Sequence, residues 1–305
     1  MELSSLLDAM VKMALLMALG FVLRRCHQLS ETGVRELSSL AVNITCPLLV
    51  IASVERMESA DYGIVLSFFG VGAAIYLLLP FFAYLAARIL QVKKEERHTY
   101  EFMLLFCNTS LLGFPIVQSL FGDEAVFYTA ILHIPFDILV YSYGFYLMGG
   151  GDSFQRRNLW NPGFVLTLLA LAAYVFQIKT PAILTDTCYL IGNITTPVAM
   201  LVMGASLAEV RLLSIFTEKR LYGMAALRLL GIPLVIHFLL VHLTHFGPEL
   251  VAIATITFGM PVGSMIVMLA QQFRHQVALS VQAVSLTTIG CLFTIPLLLQ
   301  FLVTA

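Results

Sequence analysis

The sequence predicts an all-α membrane protein of about ten transmembrane helices, arranged as two inverted five-helix repeats. Three observations carry that expectation: composition, charge placement and an internal repeat. The 305 residues are 59% hydrophobic and only 11% charged, with a mean hydropathy of +0.91. Soluble domains carry about 25% charged residues. So much apolar surface needs lipid as its solvent. The net charge of −1 offers no basic field for nucleic acid. Cys26, Cys46, Cys107, Cys188 and Cys291 are scattered and make no CxxC or Cys/His cluster. They predict neither a disulfide framework nor a metal site.

Ten apolar segments are each about long enough to span a bilayer. They run over Leu6–Leu23, Val34–Val54, Tyr62–Leu90, Thr99–Leu120, Ala125–Met148, Pro162–Gln177, Leu184–Leu207, Leu221–Leu243, Pro248–Gln271 and Val277–Val303. The first lacks a basic leader and a cleavage motif and ends in Arg24-Arg25, so it reads as an uncleaved helix. Charged or turn-forming clusters separate the segments, for example Lys93-Lys94-Glu95-Glu96-Arg97 and Gly149-Gly150-Gly151-Asp152. The sixth segment is the shortest. With the N-terminus outside, the inner loops collect 13 of the 17 Lys and Arg residues, among them Arg24, Arg35, Lys93, Arg156, Arg157, Arg211 and Arg274. The outer loops hold Arg56 and Lys179, and Lys12 and Arg228 fall within helices. The positive-inside rule then places both termini outside an inner (plasma) membrane.

Asn43-Ile44-Thr45-Cys46-Pro47 in the second segment returns as Asn193-Ile194-Thr195-Thr196-Pro197 in the seventh, 150 residues later. That spacing is a displacement of five helices. Five crossings are odd in number, so the two halves must run oppositely through the membrane. The expected organisation is a first repeat over 1–148, a short cytoplasmic linker over 149–161, and a second, inverted repeat over 162–305. A looser echo pairs the fourth and ninth segments. One contains Gly113-Phe114-Pro115 after Asn108-Thr109-Ser110, the other Gly259-Met260-Pro261-Val262-Gly263-Ser264.

Proline removes a backbone donor, and glycine permits departure from helical angles. Helix breaks in lipid survive only where protein or water covers them. Matched breaks in two halves point to a substrate site at the midplane. Opposed half-helix ends favour an anion. The alternative is that these residues merely kink packed helices. Asn108, Thr109, Gly113, Pro115, Gly259, Pro261, Gly263 and Ser264 are therefore candidate binding residues.

Together with Gly20-Phe21-Val22-Leu23-Arg24-Arg25, Leu40–Pro47, Phe121-Gly122 and the tail through Pro296-Leu297-Leu298, these motifs resemble the auxin efflux carrier family in its short bacterial form. The resemblance covers nearly the whole chain. It implies that the first, second, sixth and seventh helices form a scaffold and the rest a moving transport domain, with helices four and nine crossing. By position it assigns Asn108, Gly113, Pro115 and Pro261 to the crossover, and Asn43, Pro47, Asn193 and Pro197 to the scaffold side. It implies a small organic anion as substrate, such as malate, malonate or auxin, and suggests a homodimer. The short linker argues against auxin.

Three ionisable residues sit within helices. His133 and Asp137 are four apart and share a face. They read either as a proton relay or as a buried pair that fixes packing. Arg228 could neutralise a carboxylate substrate, counter Asp137 or snorkel to the surface. No HExxH, GxSxG or Walker A motif occurs, so neither an enzyme nor a cofactor is expected. The Gly149–Asp152 run resembles GxGD of intramembrane proteases but lies in a polar turn without a partner Tyr-Asp. The leading expectation is a secondary transporter of a small organic anion. A sodium symporter like those for bile acids and a non-transporting membrane sensor are the alternatives.

Overall fold

The computed structural model describes residues 3–55, 62–149, 162–178, 181–208 and 218–304. The linker beyond Gly149 and Arg56, Arg156, Arg157, Lys179 and Arg211, used in the charge count, lie outside these residues. All named elements among them are helices. We label them by the ten apolar segments. They are α1 (Leu3–Arg25), α2 (Glu31–Leu40 through Cys46–Glu55), α3 (Tyr62–Ile89), α4a (Arg97–Leu105), α4b (Thr109–Phe121) and α5 (Asp123–Gly149). There follow α6 (Pro162–Val175), α7a (Ala182–Gly192), α7b (Thr195–Ala208), α8 (Lys219–Leu243), α9a (Pro248–Phe258), α9b (Met265–Gln272) and α10 (Val277–Thr304).

Six of the segments are long and apolar enough to cross a membrane, namely α2, α3, α5, α7, α8 and α10. The others are shorter, broken or richer in charge at their ends. Leu77, Phe81, Leu66 and Phe293 are each more than 70% exposed. Water would penalise such a surface at roughly 25 cal/mol per Å², and lipid does not.

Proline shapes the helices in a regular way. Among the described residues, three of the four π-helical turns, Ala41–Thr45, Thr109–Gly113 and Leu227–Gly231, each end two residues before a proline, Pro47, Pro115 and Pro233; the fourth, Val140–Gly144, does not. A proline in a regular helix has no N–H to donate, and its ring strikes the carbonyl four residues back. One wide turn moves that carbonyl aside without ending the helix. In α7 the same need is met by a turn at Asn193-Ile194 ahead of Pro197.

The chain divides into two compact units that each draw on both halves of the sequence. The first comprises Met1–Phe68, Thr109–Ile134 and Trp160–Glu209. It gathers α1, α2, α6 and α7 with α4b and the start of α5. The second comprises Phe69–Asn108, Pro135–Leu159 and Val210–Ala305. It gathers α4a, α8, α9, α10, most of α3 and the end of α5.

In the first unit α1 packs along α7b, and α2 packs on both α6 and α7a. The α1–α7b contact is reciprocal. A Cβ on Gly204 of α7b would collide with the Met17 carbonyl of α1, and one on Gly20 of α1 with the Leu201 carbonyl of α7b. A Cβ on Gly192 would stand 2.8 Å from the Leu49 Cα. Small residues let backbones approach in membrane proteins, where apolar burial gives little drive to associate. Gly204→Ala and Gly20→Ala are each expected to lower the melting temperature in detergent. Gly70→Ala, where a Cβ meets nothing within 4 Å, is expected to leave it unchanged. Differential scanning fluorimetry on the purified protein checks this.

Candidate functional site

The second unit holds the break itself. Helix α4a ends at Leu105, and Phe106 turns extended, with φ −108° and ψ 110°. Helix α9a ends at Phe258, and residues 259–264 lie between it and α9b. The two interruptions pair as a short antiparallel ladder. Asn108 N–H donates to the Pro261 carbonyl (2.8 Å), and Gly263 N–H to the Phe106 carbonyl (2.9 Å), across a Cys107–Val262 bridge. Val262 N–H is taken by the Thr287 hydroxyl of α10 at 3.1 Å. Each break thus supplies hydrogen-bond partners to the other, which buried backbone requires.

Gly263 is needed at this crossing. A Cβ there would stand 3.1 Å from the Cys107 carbonyl oxygen and 3.3 Å from that of Phe106. Aromatic rings seal the ladder. Phe106 meets Phe102 at 4.6 Å and Phe136 at 5.6 Å, and Tyr76 meets Phe258 at 5.1 Å and Phe136 at 6.0 Å between centroids.

The location of the break in the fourth helix corrects the expectation from Gly113-Phe114-Pro115. The chain opens at 106–108, upstream of that motif. Gly113 and Pro115 lie where the wide turn Thr109–Gly113 passes into Phe114–Phe121. The wide turn already relieves Pro115, so this proline breaks nothing. Gly259 and Pro261 do lie within the ninth-helix break, and Ser264 stands at the N-cap position of α9b without a side-chain bond to its amides. Among the described residues, no acceptor takes the amide hydrogens of Ser264 and Met265. They form the positive end of that half helix.

Arg228 is the centre of the second unit. It is fully buried, the largest side chain that is so. The wide turn Leu227–Gly231 carries it. Its Nε donates to the Met260 carbonyl (3.2 Å) and its Nη1 to the Leu104 carbonyl (3.1 Å). One guanidinium therefore ties the last turn of α4a to the ninth-helix interruption. The planar fork suits this, and the helix C-termini supply partial negative charge. The third nitrogen, Nη2, is buried with no hydrogen-bond partner among the described residues. Arg228 does not snorkel, which removes one of the readings its position left open. Asp137 is buried in the same unit.

The remaining candidates lie in the first unit. The turns Ala41–Thr45 and Thr109–Gly113 touch each other, and α7b packs on both. This brings the region of Asn43 and Pro47 together with Thr109, Gly113 and Pro115. Thr109, Gly113, Pro115 and Pro47 are buried; Asn43, Asn193 and Pro197 are half-buried. Asn43 Nδ2 donates to the Ser39 carbonyl (3.0 Å) and hydroxyl (3.1 Å), one turn back on its own helix. Asn193 instead joins a network. Gln118 Nε2 donates to Asn193 Oδ1 (3.2 Å) and to Asp123 Oδ1 (3.0 Å), while the Thr196 hydroxyl donates to Gln118 Oε1 (3.0 Å). His133 is buried, with Nε2 3.3 Å from the Ser110 hydroxyl and its ring edge-on to Phe114.

The repeated pentapeptides meet physically. The Thr195 hydroxyl donates to the Thr45 hydroxyl at 2.8 Å, and Thr45 turns toward the Ala41 carbonyl at 3.4 Å. Both threonines are buried. They are the middle residues of the two copies, 150 positions apart. Sequence reasoning ranked the asparagines and prolines of the motif and passed over this threonine, although both copies contain it. It also passed over Thr287 and Gln118, which carry no motif.

Among the described residues every named element is a helix, and six are long and apolar enough to cross a membrane, which defines a multi-pass membrane protein. A family model described as membrane transport protein matches the chain twice, over residues 5–152 and 150–299. The chain belongs to that family, the auxin efflux carriers whose motifs it carries, and both halves are repeats of one pattern. The family is one of transporters rather than enzymes. An uncharacterized transporter of Methanothermobacter thermautotrophicus is 22% identical over 204 residues, covering 66% of this chain and 67% of that protein.

Arg228→Met should remove two charge-assisted hydrogen bonds and cost about 3 kcal/mol, with Arg228→Lys restoring only part because an ammonium lacks the fork. Denaturant titration in detergent measures both. Thr45→Val and Thr195→Val should each cost about 1 kcal/mol, and the double variant clearly less than the sum, because the second change removes a group already left unpaired. A double-mutant cycle on melting free energies checks it.

Proposed function

We propose that the protein is a secondary carrier of a small organic anion, a carboxylate such as malate or malonate, working by alternating access. The observation that carries this reading is the paired interruption with a buried guanidinium across it. Arg228 adds positive charge beside the crossing, and the first amides of α9b add the positive end of a helix dipole. A single anion is the guest that such a field favours. The antiparallel sense of the Cys107–Val262 pairing is what two oppositely oriented repeats would make, so we read the ten helical segments as ten crossings. Charge placement then puts both termini outside, in an inner membrane.

In this proposal the crossing presents the substrate through Asn108, Gly259, Pro261, Gly263 and Ser264, all of the second unit. Asp137 is buried near the middle of an apolar helix, where an ionisable group is costly without a task. We assign it the coupling proton, and His133 a packing role through Ser110 and Phe114. A homodimer fits the family resemblance.

Uptake of radiolabelled malate or malonate into proteoliposomes tests the carrier reading, with saturable accumulation expected above protein-free vesicles. An imposed pH gradient should accelerate that uptake. Asp137→Asn should abolish the acceleration while leaving exchange at equal pH. If this variant keeps its full gradient response, Asp137 does not carry the proton. Sodium dependence in place of proton dependence would favour the bile-acid symporter type of carrier.

A further inference from the structure

The first unit contains a cavity of about 380 Å³ that the crossing does not use. Its walls are Ala9, Lys12, Met13 and Leu16 of α1, Ser119 of α4b and Thr196 of α7b. All six residues belong to the first unit. The α1 residues stand at i, i+3, i+4 and i+7, so they form one helical stripe. A different stripe of α1, Val11, Leu15, Leu19 and Val22, carries the exposed apolar side chains that suit lipid. Lys12 lies on the cavity stripe next to that one; it and Ser119 are exposed, so both donors stand at the open mouth of the cavity. Among the described residues, no carboxylate lies within ion-pairing distance of Lys12, even though Asp8 is one turn away.

The polar groups around the space have distinct roles. The Thr196 hydroxyl hydrogen is committed to Gln118 Oε1 at 3.0 Å. Gln118 in turn donates to Asp123 and Asn193. The network behind the wall is thus held in place, and Asp123 is occupied by it. Two donors remain for a guest: the Lys12 ammonium and the Ser119 hydroxyl. Ala9, Met13 and Leu16 offer apolar surface beside them. A cation with one hydroxyl on a largely apolar wall matches an anionic head on a short carbon skeleton. The volume falls within the range of small-ligand sites, roughly 300–1,000 Å³.

We infer that this cavity is a second anion subsite, which takes a small carboxylate on Lys12 and Ser119. The choice of ligand class rests on the carrier reading; the cavity and its donors do not. Each acid holds one charge-assisted bond to Lys12, so its loss should weaken binding about tenfold.

The test uses the full-length protein in detergent with malonate, malate and succinate as probes, against sodium chloride at matched ionic strength. At least one acid should raise the melting temperature of the wild type. Lys12→Met should lose most of that rise, Lys12→Arg should keep it, and Ser119→Ala should lose part. Lys12→Met should also raise the half-saturation concentration for proteoliposome uptake about tenfold with little change in maximal rate. If no acid stabilises the wild type, or if Lys12→Met and Ser119→Ala respond as the wild type does, the subsite is overturned. Uptake that proceeds unchanged in Lys12→Met overturns the subsite and leaves the carrier reading intact. Lys12-dependent stabilisation without any uptake overturns the carrier reading and leaves the subsite standing.

Discussion

Buried backbone must find its hydrogen-bond partners inside the protein, and hydrocarbon makes that demand absolute. The interruptions at 106–108 and 259–264 expose several such groups at once. The chain meets the demand by pairing the interruptions with each other, by borrowing the Thr287 hydroxyl, and by placing Arg228 across the Leu104 and Met260 carbonyls. These devices work together. Without the ladder, Arg228 would have no fixed pair of carbonyls to bridge. Without Arg228, those two carbonyls would face a dry interior. A buried charge is costly unless it is well bonded, and here two of its three nitrogens are.

The first unit solves a different problem. Helices in lipid gain little from burying apolar surface, so fit must hold them. Gly20 and Gly204 bring the α1 and α7b backbones together, and Gly192 does the same for α7a against Leu49. Polar groups add to the fit where they are satisfied, as in the chain from Thr196 through Gln118 to Asp123. The wide turns before Pro47 and Pro115 meet in the same region. There the helix departs from its regular pitch, and Thr45 and Ser110 in these turns meet the side chains of Thr195 and His133.

Much of this was legible in the chain. Apolar runs and charge clusters located the helical segments, because lipid imposes a length and a polarity that few sequences satisfy by accident. The NITxP repeat pointed to the α2 and α7 motifs that meet at Thr45 and Thr195. The position of the fourth-helix break was not legible. Gly113-Phe114-Pro115 looks like a stop, yet a π turn absorbs it, and no local signal marks Phe106–Asn108 as extended. That segment opens because Pro261 and Gly263 wait opposite it, 153 or more positions later. Pairing across such a distance leaves no trace in a local window. Arg228 stood out as an odd charge, but its two carbonyl partners could be named only once the crossing was seen.

The contact between Thr195 and Thr45 has a consequence for how the halves diverge. Two identical hydroxyls that face each other cannot behave identically. A single hydrogen lies between them, and it belongs to one oxygen or the other. Here Thr195 gives and Thr45 receives, then hands its own hydrogen toward Ala41. Taking away the Thr45 hydroxyl would strand the hydrogen of Thr195, while taking away that of Thr195 would leave Thr45 its carbonyl, so two copies of one residue carry unequal weight.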